Sequence, residues 1–209
     1  MGKLIFILGG ARSGKSGFAQ QLAQACSEEE HRPVVYIATA EAGDEHMQQR
    51  IERHRQDRPS SWETLEAPQN VAAAIEAEGD SAAVVIVDCL TLLISNLLLA
   101  GGEDGSTEAS TVSVASFPAE PLAEVVNEDE AQVASREKAI LDDVETLIRA
   151  ARKANALVIV VSNEVGMGIV PLTRLGRIFR DIAGRANQAL AQAADEVYVT
   201  WAGLPQRIK

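Results

Sequence analysis

Residues 9–16, Gly-Gly-Ala-Arg-Ser-Gly-Lys-Ser, constrain this chain more than any other stretch. They follow a short apolar run, Leu4-Ile5-Phe6-Ile7-Leu8, and precede Phe18-Ala19-Gln20-Gln21-Leu22-Ala23, where apolar residues recur at helical spacing. Strand, G-x-x-x-x-G-K-[ST] and helix in this order make a phosphate-binding loop in its proper context. Glycines let the backbone curl so that successive N–H groups face phosphate oxygens, and the following helix adds its positive dipole end. Gly9, Gly10, Ala11, Arg12, Ser13 and Gly14 are therefore expected to cradle a nucleoside triphosphate. Lys15 is expected to reach its outer phosphates, and Ser16 to hold Mg²⁺. An ordinary glycine-rich turn would not need all four fixed positions and both flanks.

The remaining apolar runs set the fold class. Residues 3–8, 34–38, 82–88, 156–162 and 196–201 read as strands, with 62–66 a short strand or extended link. Residues 14–26, 71–78, 91–99, 128–153 and 173–194 read as helices, the last weakened by Gly176 and Gly184. Residues 27–33 read as a polar connection, and a further helix opens at Gly43 and ends before Pro59. Strands alternate with helices throughout, which predicts an α/β fold with a mostly parallel sheet covered on both faces. Residues 205–209 are expected to return as a terminal strand. The length of 209 residues suits one nucleotide-binding domain.

Charge is unevenly placed. The net charge is −11, and residues 101–135 hold eight carboxylates and no Lys or Arg, so the rest of the chain carries only −3. This excludes the basic face that general nucleic-acid binding needs. Residues 101–127 read as a mobile acidic surface insertion with no chemistry of their own. The first apolar run is too short for a signal peptide, and no run approaches a membrane span. Cys26 and Cys89 have no metal spacing and fit a reducing, cytoplasmic setting as small apolar side chains.

Two further positions carry chemistry. Asp88 ends an apolar strand, where the magnesium-side carboxylate of phosphate-loop folds stands; the competing role is a helix cap. His54 lies among Arg50, Arg53, Arg55 and Arg58. Cationic neighbours favour the neutral, nucleophilic imidazole, and the same arginines suit triphosphate oxygens. On spacing alone, a solvated basic helix with an incidental histidine is the more economical reading. His31 and His46 read as surface histidines.

Several runs identify a family. Gly9–Ser16, Tyr36-Ile-Ala-Thr39, Arg50-Ile-Glu-Arg-His-Arg55 with Arg58-Pro59, and Trp62-Glu-Thr64 are joined by Asn163–Pro171, Phe179–Asn187 and Ala194–Val197. Together they resemble the bifunctional adenosylcobinamide kinase / adenosylcobinamide-phosphate guanylyltransferase family of cobalamin biosynthesis. The resemblance implies two reactions. ATP or GTP phosphorylates the aminopropanol hydroxyl of adenosylcobinamide. A histidine then takes GMP from GTP, releasing pyrophosphate, and passes it to the phosphorylated corrinoid. It reverses the weighting of His54, which matches the guanylylated position. It places Thr39, Ala40, Glu41, Arg55, Gln56, Asp57, Arg58, Glu66 and Asp88 at the nucleotide, implies a RecA-like fold with an antiparallel edge hairpin, and implies a homotrimer. The 101–127 insertion is longer than the family pattern. A phosphate-loop kinase without the guanylyl step and a GTP-dependent switch are the alternatives; no Asn-Lys-x-Asp run supports the switch.

Overall fold

A computed structural model describes residues 2–40, 52, 55, 58–100 and 129–209. In chain order these form β1 (Leu4–Gly9), α1 (Lys15–Glu30), β2 (Val34–Ala38), β3 (Glu63–Glu66), α2 (Val71–Glu78), β4 (Val84–Asp88), α3 (Leu90–Leu99), α4 (Glu130–Lys153), β5 (Leu157–Asn163), α5 (Arg174–Ala193), β6 (Glu196–Trp201) and β7 (Leu204–Arg207). The strands make one seven-stranded sheet in the order β3-β2-β4-β5-β1-β6-β7. All neighbouring pairs are parallel except β6 with β7. This is the mostly parallel, helix-covered sheet with an antiparallel carboxyl-terminal edge that the sequence predicts.

Near-continuous apolar strands are what a sheet buried on both faces requires. Side chains alternate between its two sides. Leu4, Phe6, Val35, Ile37, Val85, Val87, Val158 and Val160 face one core, which α2, α3, α4 and α5 close with Ile75, Leu90, Ile94, Val144, Leu147, Ile182 and Leu190. Ile5, Ile7, Val34, Tyr36, Val84, Ile86, Ile159 and Val161 face the other, which α1 covers with Ala19 and Ala23. Phe18 of α1 also meets Tyr198 edge-on, ring centroids 5.0 Å apart.

Most differences from the sequence reading lie at helix ends. The first helix does not stop at residue 26 but runs to Glu30, and His31 closes it in the left-handed region at φ 54°. Residues 27–30 looked like a loop because they are polar. Glutamates are good formers of an exposed helix end, and Gln24 Nε2 donates to Glu28 Oε1 four residues on, at 2.6 Å. Neither Gly176 nor Gly184 interrupts α5, since a glycine inside a helix costs only about 1 kcal/mol against alanine. Thr173 caps that helix by accepting the Gly176 N–H at 3.1 Å. Asp129 and Gln132 form a capping box at the start of α4. The acidic insertion at 101–127 and the helix opening at Gly43 lie outside the described residues.

Parallel strands bring their carboxyl ends to one side of the sheet, where β1 releases residues 10–14 and β5 releases 164–172. At this end Thr39 ties β2 to β4. Its hydroxyl donates to Cys89 O at 2.8 Å and accepts from Cys89 N at 2.7 Å, while its own N–H donates to Asp88 O at 3.2 Å. Thr39→Val keeps the shape but leaves the buried Cys89 N–H unpaired, while Cys89 O still accepts from Leu93 N at 3.2 Å. It should lower stability by about 1–3 kcal/mol, read as a lower urea midpoint with an unchanged slope. An unchanged midpoint would show that the tie contributes nothing.

Candidate active site at the phosphate loop

The loop from Gly9 to Gly14 is wedged between β1 and the tight turn joining β6 to β7. Gly9 has no room for a side chain: a Cβ there would lie 2.5 Å from Thr200 Oγ1, 2.6 Å from Thr200 O and 2.7 Å from Ser13 Oγ. Gly14 sits at φ +94°, and a Cβ on it would lie 3.1 Å from Gly203 Cα. Ser13 and Thr200 share a hydroxyl–hydroxyl hydrogen bond of 2.7 Å, and Gly203 N donates to Ser13 O at 2.9 Å. The loop shape is thus set from behind, by residues almost two hundred positions away in the chain.

Its open side suits an anion. Gly14 occupies the N-cap of α1 without a side-chain cap, and no carboxylate stands in the first turn. The first-turn N–H groups and the dipole end therefore point toward whatever the loop holds. Lys15 is buried, with its ammonium donating to Gly10 O at 2.6 Å across the loop. Gly10 and Ser16 are half-buried, while Ala11, Arg12 and Gly14 are exposed.

Asp88 lies at the end of β4, and β5 separates that strand from β1. It is not a helix cap: Cys89 holds the N-cap of α3, with no side-chain capping bond. Instead Asp88 Oδ2 accepts the Tyr36 hydroxyl at 2.5 Å. Burial, then the charge of Asp88 and the hydrogen bond to it, raise the Tyr36 phenol well above its usual 10, so Tyr36 stays a donor. Burial first and Asp88 second also push the Cys89 thiol up to about 11. Cys26, only half-buried, is raised by burial and then by Glu30. Neither sulfur is poised as a nucleophile, in keeping with their expected packing role.

The Tyr36 ring has a second partner. The Arg58 guanidinium stacks over it at 3.6 Å from the centroid, and Arg58 Nη1 donates to Thr64 Oγ1 at 3.2 Å. Arg58 Nε is buried and has no partner among the described residues. Arg58 N also donates to Arg55 O at 3.2 Å, so the end of the arginine-rich run is fixed against β2 and β3. Arg55 and Glu66 are exposed; Glu66 pairs in register with Ala38, just before Thr39 and Ala40. His54, Glu41, Gln56 and Asp57 lie outside the described residues.

Mg²⁺ suits this donor set. Among the described residues no group of three or more His, Cys, Asp or Glu side chains gathers in a metal cage. One hydroxyl from Ser16 and one carboxylate from Asp88 are what a cation that keeps its waters and binds phosphates takes from a protein.

Thr200, Asn96 and Gly203 belong to the site's framework and carry no sequence signal, and Tyr36 opens a family run in the sequence with no role attached to its side chain. Asn96 Nδ2 donates to Thr39 O at 2.9 Å and Pro68 O at 3.0 Å. Only Tyr36 gave a signal, a phenol inside an aliphatic strand.

Comparison with known proteins decides the family. A family model described as cobinamide kinase / cobinamide phosphate guanyltransferase matches residues 5–208. This chain belongs to that family. It is an enzyme of the bifunctional kinase and guanyltransferase type. Similar proteins include the bifunctional adenosylcobalamin biosynthesis protein CobU of Escherichia coli, 40% identical over 206 residues and covering 99% of both chains. CobU of Salmonella typhimurium is 38% identical with the same coverage. CobP of Pseudomonas aeruginosa is 38% identical over 97% of this chain and 95% of its own. Among solved structures, a KaiC-like protein from Pyrococcus horikoshii aligns with a TM-score of 0.45 at 14% identity, over 94% of this chain and 70% of that one.

Tyr36→Phe keeps the ring beneath Arg58 and removes only the donor to Asp88. It should raise the Mg²⁺ concentration needed for half-maximal triphosphate turnover several-fold, at a stability cost of about 1 kcal/mol. An unchanged Mg²⁺ dependence would separate Tyr36 from the function of Asp88.

Proposed function

We propose that this chain phosphorylates adenosylcobinamide on its aminopropanol hydroxyl with ATP or GTP, then forms adenosylcobinamide-GDP from GTP through a guanylyl-histidine at His54. In the first reaction the substrate hydroxyl attacks the γ-phosphorus and the nucleoside diphosphate leaves. In the second an imidazole nitrogen of His54 attacks the α-phosphorus of GTP, breaking the bond to pyrophosphate. The corrinoid phosphate then attacks the same phosphorus and frees the histidine. Splitting the transfer in two lets one poor nucleophile, a phosphate monoester, meet an activated phosphoramidate.

In this reading Gly9–Ser16 and Lys15 hold the triphosphate in both reactions. Bound Mg²⁺, held by Ser16 and Asp88, would neutralise charge on the departing phosphates. Thr39, Ala40, Glu41, Arg55, Gln56, Asp57, Arg58 and Glu66 line the nucleotide. The Thr39 hydroxyl is committed to Cys89, so its contribution is to shape this rim. The observation that carries the reading is the tie from Arg58 through the Tyr36 ring to Asp88. It joins the end of the histidine-bearing run to the carboxylate on the nucleotide side.

The proposal includes one nucleotide-binding domain over residues 1–209 with an acidic insertion at 101–127, a homotrimer and a cytoplasmic location. Among the described residues no helix is long and apolar enough to cross a membrane. A corrinoid and a nucleoside triphosphate are its partners, and nucleic acid is not.

His54→Ala should abolish covalent capture of GMP while phosphorylation of adenosylcobinamide persists within a few-fold. Lys15→Ala should reduce both by at least a hundredfold, as one lost charge on a transferring phosphate does. Loss of both activities in His54→Ala would contradict the separate roles. Deleting residues 105–117 should leave both rates nearly intact; a large loss would bring the insertion into the site.

A further inference from the structure

Large apolar side chains that remain exposed are few, and their placement is uneven. Among the described residues seven stand out, and six of them lie at the carboxyl end of the sheet. Met167, Ile169, Val170 and Leu172 occupy the loop after β5; Trp201 and Leu204 bracket the turn between β6 and β7. Ile169 and Leu172 are 96% and 97% exposed. Only Ile208 is elsewhere, beside Val197 near the start of β6.

The two groups flank β1, because β5 and β6 are its neighbours. The segments that carry them are both tied to the phosphate loop. Glu164 N donates to Gly9 O at 3.0 Å on one side, and Gly203 N donates to Ser13 O at 2.9 Å on the other. The longer loop is also held by hydrogen bonds of its own. Gly166 N donates to Glu164 Oε1 at 2.6 Å, and Arg177 Nη1 donates to Pro171 O at 3.0 Å and Leu172 O at 2.8 Å. Three of its backbone polar groups are engaged in this way, while its apolar side chains face water. Clustered exposure of this kind marks a binding surface.

We propose that the apolar surface straddling the phosphate loop, Met167–Leu172 on one side and Trp201 with Leu204 on the other, is where the corrinoid macrocycle docks. The inference rests on the cobinamide-directed function of the family and goes beyond it to the surface. A corrinoid is a broad ring with methyl- and methylene-covered faces and an amide rim, too wide to enter a narrow cleft. Laid over this apolar ground, it presents its hydroxyl-bearing arm to the γ-phosphate without displacing the nucleotide. Phosphoryl transfer needs that oxygen held within about 3–3.5 Å of phosphorus, and a docking surface on both sides of the loop meets the need. Nucleotide binding and guanylylation from GTP require no corrinoid, so the surface is separable from them.

The test is the double variant Ile169→Ser/Leu172→Ser, with Leu204→Ser made separately, each in the full chain. All three side chains are exposed, so folding is expected to be preserved, and an unfolding midpoint checks it. The Michaelis constant for adenosylcobinamide should rise roughly tenfold or more in the double variant, since even partial burial of two such side chains is worth that factor. GTP affinity by equilibrium dialysis should stay within about twofold, and the sedimentation coefficient should not change. An unaltered Michaelis constant overturns the proposal. So does a change in association state, which would make the patch an interface between copies, and so does a loss of GTP affinity, which would make it part of the nucleotide site. If the unmodified enzyme does not phosphorylate adenosylcobinamide at all, the functional reading itself fails, a result distinguishable from each of these.

Discussion

The phosphate loop depends on a close approach that only glycine permits. Gly9 lies under the hydroxyls of Ser13 and Thr200, and Gly14, in a left-handed conformation, lies against Gly203. A side chain at Gly9 would push the loop off its support, and the inward-facing N–H groups would no longer converge. The antiparallel edge hairpin is therefore a support of the phosphate loop as well as an end to the sheet. Ala202 and Gly203 both adopt positive φ, 49° and 84°, as a two-residue hairpin turn of this twist requires.

A second set of contacts organises the carboxyl ends of β2 and β4. Tyr36 is shared between two charges: its hydroxyl serves Asp88 and its ring serves Arg58. One buried side chain thus couples the carboxylate suited to Mg²⁺ with the last residue of the arginine-rich run. Burial strengthens both interactions by excluding water. The two reactions of the family make different demands, since one engages the γ-phosphorus and the other the α-phosphorus of a triphosphate.

Much of this was legible in the sequence. The phosphate loop announces itself because its chemistry is local: glycines, a lysine and a hydroxyl at fixed spacing between a strand and a helix. Apolar runs separated by helical periodicity predict the parallel sheet, and the strand-end carboxylate at Asp88 follows from the same pattern. What the sequence does not reveal is long-range register. The Ser13–Thr200 bond spans 187 residues and the Tyr36–Asp88 bond 52, and neither follows from any local pattern. The commitment of Thr39 to the Cys89 backbone was likewise invisible, because it needs β2 and β4 side by side. Polar helix ends misled for the opposite reason: residues 27–30 carry loop-like composition in a helix that exposes them to water.

The central claim is that residue 54 carries GMP through a nitrogen–phosphorus bond while the amino-terminal loop grips the phosphates. The most direct measurement is to incubate the enzyme with GTP labelled at the α-phosphate, remove free nucleotide, and map the label by peptide mass spectrometry with its stability in acid and alkali. The account predicts one GMP on the peptide containing His54, released by acid and retained in alkali, as a phosphoramidate is. A label on another residue, or an enzyme that makes adenosylcobinamide-GDP without ever becoming labelled, would contradict it.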